Sequence, residues 1–232
     1  MHSKIKTSTW TSKHMHSQNG KSTLTLILVA AAIALAGTTF ALRLMHDSHY
    51  PELIRGFAVD PKPIGQVHLL DKNGSMLSNE DFKGKWTLVF FGYTNCPDVC
   101  PSTLLQLKQL KKSLVKNPAT SNYQFLFVTV DPQRDTRSRL KEYVDYFDAS
   151  FHAATGDIKQ ITSFEHVFGA FHHYEKMSEN DSHYSVAHSA EVYIVDPQNM
   201  YVGKFLPPFD VNKLTHKLTA LSDFVIKNGP SA

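Results

Sequence analysis

The sequence predicts an α/β domain with a mixed central sheet, preceded by an N-terminal transmembrane helix. From about residue 65 onward, apolar runs of strand length alternate with amphipathic segments of helical period, which is typical of a sheet covered by helices on both faces. The last two strand-like runs are joined by a short turn, so an antiparallel hairpin ends the sheet. Near the N-terminus, residues 24–42 carry no charged side chain, and a run of about 20 apolar residues can cross a bilayer.

The N-terminal run is flanked in the way expected of a membrane anchor. Four lysines precede it, namely Lys4, Lys6, Lys13 and Lys21. Excess positive charge marks the cytoplasmic side of a membrane segment, so the rest of the chain is expected on the other side. A secretory signal cleaved after Ala36 is the alternative, because Ala34 and Ala36 form a small-x-small cleavage pattern. Both interpretations place the main domain outside the cytoplasm.

These observations predict the organisation of the whole chain. The predicted segments are a cytoplasmic tail over residues 1–23, a transmembrane anchor over 24–44, a linker over 45–63 and the main domain over 64–232. The predicted location is the inner (cytoplasmic) membrane, with one pass and the main domain on the periplasmic, extracytoplasmic side. The net charge is only +3 and no stretch is dense in Lys or Arg, so we expect no nucleic-acid partner.

Strand signals recur along the main domain. Residues 67–77 carry two short apolar runs around Asn73-Gly74, the strongest short hairpin signal. Almost continuous apolar runs at 86–93 and 123–130 predict strands buried on both faces. A further strand is predicted over 190–195, with a hairpin partner over 200–205.

Helical signals lie between these strands. The predicted helices cover residues 102–115, 137–147, 157–168 and 211–227. In the first of them, leucines recur at about helical spacing, which indicates one apolar face. Pro101 suits the first turn of that helix, where its missing N–H is not needed.

The chain has only two cysteines, Cys96 and Cys100, and they lie between a buried strand and a helix start. Ligands bind at the carboxyl ends of strands in open α/β sheets, and a helix start stabilises thiolates. Two thiolates there form either a reducible disulfide or a soft-metal site. The three-residue gap is wider than the two-residue gap of typical dithiol oxidoreductases and so favours a metal. An inert stabilising disulfide is a third interpretation.

Three motifs resemble those of the Sco/SenC family, the copper proteins of cytochrome c oxidase assembly. They are FFGYTNCPDVCP (residues 90–101), VDPQRDT (130–136) and YSVAHSAEVY (184–193). The resemblance implies a thioredoxin-like fold with an inserted hairpin. It also implies that copper, Cu(I) and/or Cu(II), is held by the two cysteines and the histidine of the third motif, here Cys96, Cys100 and His188.

One position departs from the family pattern. Many members carry an aspartate before this histidine, whereas this chain has Ala187. Such a carboxylate could orient the imidazole, and Asp131 or Asp135 could take its place. Both are equally well explained as turn or helix-capping residues. His172, His173 and His183 are expected to be packed or surface residues rather than ligands.

The leading functional hypothesis is a copper chaperone, not an enzyme, that serves the dinuclear copper centre of cytochrome c oxidase. Its expected partners are subunit II or the assembly factors of that subunit, with the membrane contacted through the N-terminal helix. The alternative is a membrane-anchored thiol-disulfide oxidoreductase that reduces cysteines of a partner protein and does not need His188. Peroxide reduction has weaker support in the sequence, and the sequence is silent on copper or redox sensing.

Overall fold

The computed structural model describes residues 19–45, 57–116, 120, 122–176 and 184–228. The chain divides into two units, one up to residue 49 and one from residue 50 onward. The first unit contains helix α1, Asn19–Met45, whose side chains are described over residues 25–39. Over the part of the chain that the structure describes, none of the helices combines the length and hydropathy that a membrane span requires. The transmembrane anchor at 24–44 therefore stays a prediction.

The second unit is an α/β domain, as predicted. Its strands are β1 (Ala58–Pro63), β2 (Leu69–Asp71), β3 (Met76–Leu77), β4 (Trp86–Gly92), β5 (Tyr123–Thr129), β6 (His152–Thr155), β7 (His172–Lys176), β8 (Tyr184–His188), β9 (Val192–Val195) and β10 (Met200–Phe205). Its helices are α2 (Val99–Leu114), α3 (Arg137–Phe147), α4 (Ile158–Phe168) and α5 (Val211–Asn228).

The central sheet is mixed, as predicted. Its strand order is β1-β10-β9-β4-β5-β6-β2-β3. Strands β4, β5 and β6 are parallel neighbours, whereas β9 runs antiparallel to β4 and β10 antiparallel to β9. A separate two-stranded antiparallel sheet, β7–β8, is inserted between α4 and β9. The family resemblance likewise implies an inserted hairpin.

Two apolar clusters cover the faces of the central sheet. Alternate residues of β4 point to opposite faces, so Phe90 belongs to one cluster and Phe91 to the other. Helices α2, α3 and α5 pack on the Phe90 face, and α4 packs on the Phe91 face. Strand β4 is buried along its whole length, as its unbroken apolar sequence predicts.

The predicted linker is wrong at its C-terminal end. Residues 46–56 lie outside the described residues, but Phe57 is buried in the core and residues 58–63 form strand β1. The prolines of this segment argue against a strand, because proline lacks an N–H group for a sheet ladder. Proline is tolerated on an edge strand, and β1 lies at the edge of the sheet that the described residues form, paired with β10 through an irregular register.

Other boundaries also differ from the prediction. The hairpin over 67–77 is present as β2 and β3. The pattern of apolar residues does not predict strand β6 or either strand of the inserted sheet, because these segments carry polar side chains among few apolar ones. Helix α2 begins at Val99 rather than at residue 102, and this earlier start places Cys100 within its first turn.

Candidate metal centre

The two cysteines lie where the chain passes from β4 into α2, at the carboxyl end of a central parallel strand. Cys96 is half-buried and Cys100 is fully buried. The backbone N–H of Cys96 donates to the carbonyl of Tyr93 at 3.2 Å, which closes a turn before the helix. The N–H of Cys100 donates to the sulfur of Cys96 at 3.4 Å, so a donor of the helix start already faces this sulfur.

Gly92, the last residue of β4, makes room for the buried sulfur. A Cβ atom at this position would lie 2.8 Å from Cys100 Sγ and 2.9 Å from the Phe127 ring. No L side chain fits that space without displacing the sulfur. The strand therefore ends in glycine because Cys100 packs directly against its backbone.

His188 approaches the cysteines from the inserted sheet, at the end of β8. Its Nε2 atom lies 3.5 Å from Cys100 Sγ, and its Nδ1 atom lies 2.9 Å from the carbonyl oxygen of Ser189. A carbonyl can only accept a hydrogen bond, so Nδ1 carries the proton in the neutral ring. The lone pair on Nε2 then faces the sulfur atoms, as a metal ligand requires.

Cys96, Cys100 and His188 can each offer one ligand atom, and these atoms lie within 4.8 Å of one another. Across the described ranges, this is the single group of three or more such side chains close enough to share an ion. The structure thus brings together all three residues that the motifs predicted as ligands. Two sulfurs and one imidazole form a soft donor set.

Hydrogen bonding divides the protons unequally between the two thiols. Donation from Cys100 is the main reason why the pKa of Cys96 falls from 9.0 to about 4. The backbone N–H groups of Cys100 and Asp98 lower it further, whereas burial opposes the shift. The pKa of Cys100 is raised, first because its S–H is held by Cys96 and second because it is buried. The pair therefore holds one proton near neutral pH.

Aromatic rings enclose the imidazole. The ring of Tyr93 meets the His188 ring edge-on, with centroids 5.8 Å apart, and Phe90 lies 6.2 Å away on the β4 side. Both rings limit the rotation of the imidazole about its side-chain bonds. Burial also raises the pKa of Tyr93, so its hydroxyl stays neutral beside the thiolate.

Asp135 holds the cysteine loop and does not orient His188. Its carboxylate accepts hydrogen bonds from the Thr94 N–H at 3.0 Å and the Thr94 hydroxyl at 2.5 Å. It also accepts from the Thr129 hydroxyl at 2.6 Å. Asp135 is 1% exposed, and its contacts fix the residue two positions before Cys96.

Asp131 holds the strand that carries the histidine. It is fully buried, forms a short ion pair with Arg134 and accepts from the Tyr184 hydroxyl at 2.7 Å. Arg134 stacks over the Tyr184 ring with its guanidinium carbon 3.6 Å from the centroid. It also donates to the Tyr184 carbonyl at 2.8 Å. Asp131 therefore fixes the start of β8, four residues before His188.

The aspartate that many family members carry has no counterpart role here. The carbonyl of Ser189 holds Nδ1 of His188, and neither Asp131 nor Asp135 contacts the ring in the described hydrogen bonds. No residue pattern indicates this role of Ser189, because a backbone carbonyl is present at every position. Its own side chain accepts from the Phe171 N–H at 3.1 Å.

The other histidines of this region differ in their surroundings. His173 is exposed, as expected, and His183 lies outside the described residues. His172 is packed, with Nδ1 2.6 Å from the carboxylate of the buried Glu165. The sequence did not indicate this Glu165–His172 pair, because its two members lie on different elements, α4 and β7.

Comparison with known proteins identifies relatives over most of the chain. Residues 60–223 match the SCO1/SenC family model. The chain is 33% identical over 190 residues to the mitochondrial SCO2 homolog of Homo sapiens, covering 80% of this chain and 70% of that protein.

Solved structures agree with these sequence matches. The crystal structure of Arabidopsis thaliana ScoI with copper bound aligns with a TM-score of 0.63 at 28% identity. The alignment covers 68% of this chain and 98% of that one. Yeast Sco1 with copper bound gives a TM-score of 0.63 at 27% identity, covering 72% of this chain and 90% of that one.

Proposed function

Because the chain belongs to the SCO1/SenC family, we propose that it binds copper through Cys96, Cys100 and His188 and serves in the assembly of cytochrome c oxidase. The observation that carries this proposal is the convergence of three ligand atoms within 4.8 Å at the carboxyl end of β4. Copper-bound relatives of similar fold support the choice of metal.

The donor set suits a soft, low-coordinate ion. Cu(I) prefers thiolates and accepts imidazole, whereas a structural zinc site normally has four protein ligands. The described residues bring three ligand side chains together. A three-ligand site leaves one side of the metal open, which suits a protein that passes its metal to another.

Each ligand is prepared for the metal in a different way. Cys96 is already a thiolate near neutral pH, since its pKa is about 4. Cys100 has a raised pKa and gives up its proton when the metal binds. The neutral ring of His188 presents Nε2 to the metal, because the carbonyl of Ser189 holds the proton on Nδ1. Of the two cysteines, Cys96 is the less buried, so an incoming acceptor would reach it before Cys100.

The proposed recipient is the dinuclear copper centre of cytochrome c oxidase subunit II, reached directly or through its assembly factors. The family resemblance supports this recipient. The uncharged run at residues 24–42, preceded by lysines, supports an inner-membrane anchor with the main domain outside. On the ground of the family resemblance, the proposed role is that of a copper carrier and not of an enzyme.

A thiol-disulfide oxidoreductase is the second candidate. The acidic Cys96 thiol favours it, because a thiolate is the nucleophile in disulfide exchange. This function would need both cysteines and would not need His188. The close approach of His188 Nε2 to Cys100 Sγ, 3.5 Å, is better explained by a metal site.

Complementation separates the two functions. A strain that lacks this protein is supplied with the full chain carrying Cys96→Ser, Cys100→Ser or His188→Ala, and oxidase activity is measured under limiting copper. Metal delivery predicts that all three variants fail, with His173→Ala as the matched control that restores activity. Restoration by His188→Ala, together with failure of both cysteine variants, would instead establish thiol chemistry.

A further inference from the structure

The Glu165–His172 pair is an unusual feature of a face that is otherwise apolar. Helix α4 buries Ile161, Phe164 and Phe168 together with Glu165, which is 1% exposed. One carboxylate oxygen, Oε2, bonds Nδ1 of His172 at 2.6 Å. The other oxygen, Oε1, is buried without a hydrogen-bond partner. Burying a carboxylate in this way costs free energy that an apolar side chain would not.

The pair is connected to the metal centre through the inserted sheet. His172 is the first residue of β7 and lies directly opposite His188 in the antiparallel register. The preceding residue, Phe171, accepts from the Ser189 N–H at 3.0 Å and donates its N–H to the Ser189 hydroxyl at 3.1 Å. Ser189 in turn presents the carbonyl that binds Nδ1 of His188 at 2.9 Å.

These contacts form one continuous path from α4 to the ligand. The side chain of His172 is 8% exposed and Ser189 is 5% exposed, so water does not replace the bonds readily. The hydrogen bond between Glu165 and His172 fixes where β7 begins. The two bonds between Phe171, just before β7, and Ser189 then fix the Ser189 carbonyl. The orientation of that carbonyl decides which nitrogen of His188 carries the proton and where the Nε2 lone pair points.

We propose that the Glu165–His172 pair is a positioning element for His188, which holds the imidazole in the orientation and tautomer that metal binding requires. The inference deepens the proposed copper function and rests on it for the effect on affinity. It assigns neither Glu165 nor His172 as a ligand. The pair acts through β7, Phe171 and Ser189.

Two variants of the full chain test this role. Glu165→Gln keeps the shape and weakens the bond to His172, and the double variant Glu165→Leu/His172→Leu removes both polar partners. Replacing a buried pair by apolar residues is often neutral or stabilising, so we expect the double variant to fold. The matched control is Asp145→Asn, which weakens the ion pairs that this residue of α3 forms with Lys72, just after β2, and with Lys141, away from the path to His188.

Three readouts separate positioning from general stability. Nitrogen-15 NMR of the metal-free chain reports the tautomer of His188, competition with a chromophoric chelator gives the Cu(I) affinity, and denaturant unfolding gives stability. We expect both test variants to mix the His188 tautomers and to weaken Cu(I) binding about tenfold, the lower end of the effect of losing a group that orients a ligand. Asp145→Asn should change neither the tautomer nor the affinity.

Two results would overturn the inference. One is a double variant whose His188 tautomer and Cu(I) affinity match those of the unaltered chain. The other is an equal loss of affinity in Asp145→Asn, which would reduce the effect to destabilisation. If the unaltered chain bound no copper, the proposed function would fail, and the NMR readout of His188 would still decide whether the pair positions the imidazole.

Discussion

The proposed metal centre is built from two regions that are held by different kinds of contact. The cysteine side, residues 92–100, continues directly from the buried strand β4 into α2. The histidine side, made of β7, β8 and Ser189, belongs to a separate two-stranded sheet. The position of the cysteine side follows from the core strand that it continues. The histidine side needs separate contacts to hold it beside the cysteines.

Contacts on the cysteine side are mostly local. Cys96 bonds back to Tyr93, and Cys100 bonds back to Cys96. The strand before them is buried throughout. The exception is Asp135, which reaches the loop through Thr94. Local contacts of this kind form together with the helix start, so this side is expected to keep its geometry without a metal.

Contacts on the histidine side come from distant parts of the chain. The Tyr174 hydroxyl donates to the Val130 carbonyl at 2.8 Å, and the Tyr184 hydroxyl donates to Asp131 at 2.7 Å. His172 bonds Glu165. The sulfur positions are therefore set by the fold, whereas the imidazole position is set by a few replaceable polar contacts.

The largest effect is expected on the cysteine side. Cys100→Ser should lower Cu(I) affinity by at least about a hundredfold, because loss of a ligand exceeds the loss of a group that orients one. Competition with a chromophoric chelator measures the change. The control is His173→Ala, at an exposed residue of the inserted β7–β8 sheet. An affinity within tenfold of the unaltered chain would mean that Cys100 is not a ligand.

The proton difference between the cysteines predicts the pH dependence of binding. The pKa of Cys96 is lowered to about 4 and that of Cys100 is raised. Between about pH 7.5 and pH 9, above the range in which histidine ordinarily titrates, only the Cys100 proton must leave, so Cu(I) affinity should rise about tenfold per pH unit. Affinities measured at several pH values in that range check the slope. A slope near two would show that Cys96 is also protonated, and a slope of zero that Cys100 is already ionised.

Two buried aspartates separate the regions more finely. Asp131→Asn weakens the ties of Arg134 and Tyr184 on the histidine side, and breaking a buried ion pair should cost about 3 kcal/mol of unfolding free energy. Asp135→Asn removes charge from the hydrogen bonds to Thr94 on the cysteine side, at a cost of about 2 kcal/mol. Denaturant unfolding measures both. NMR of the metal-free chain should show displaced His188 signals in Asp131→Asn alone; the reverse pattern would contradict the assignment of the two roles.

The smallest effect is expected at Ala187. Neighbouring residues of a strand point to opposite faces, so a side chain at 187 faces away from the cysteines that His188 approaches. Ala187→Asp should therefore change Cu(I) affinity by less than about twofold, within the scatter of surface substitutions. Chelator competition checks this value. A gain of tenfold or more would show that a carboxylate here does reach the imidazole and that Ser189 is an incomplete substitute.

The cysteine side could be predicted from sequence because its signals are contiguous. A continuous apolar run marks β4, and Pro101 marks the helix start within a few residues of both sulfurs. Four strands were missed for physical reasons: β1 carries prolines that only an edge strand tolerates, and β6, β7 and β8 are short and rich in polar residues.

On the histidine side, the motif identified His188, but spacing alone could not place it beside Cys100. The hydrogen bonds that position His188 join residues of different elements, such as Glu165 with His172 and Asp131 with Tyr184. Sequence patterns describe neighbours along the chain and not partners across it. The orienting carbonyl of Ser189 is a backbone group, so no residue type announces it.

The central claim is that the two regions close on one copper ion with two sulfur ligands and one nitrogen ligand. X-ray absorption of the full chain loaded with one equivalent of Cu(I) tests this directly, with His188→Ala measured beside it. We predict two sulfur scatterers and one imidazole in the unaltered chain, and loss of the imidazole signal in the variant with both sulfurs kept. An identical spectrum in the two proteins would contradict the claim, since His188 would then take no part in binding.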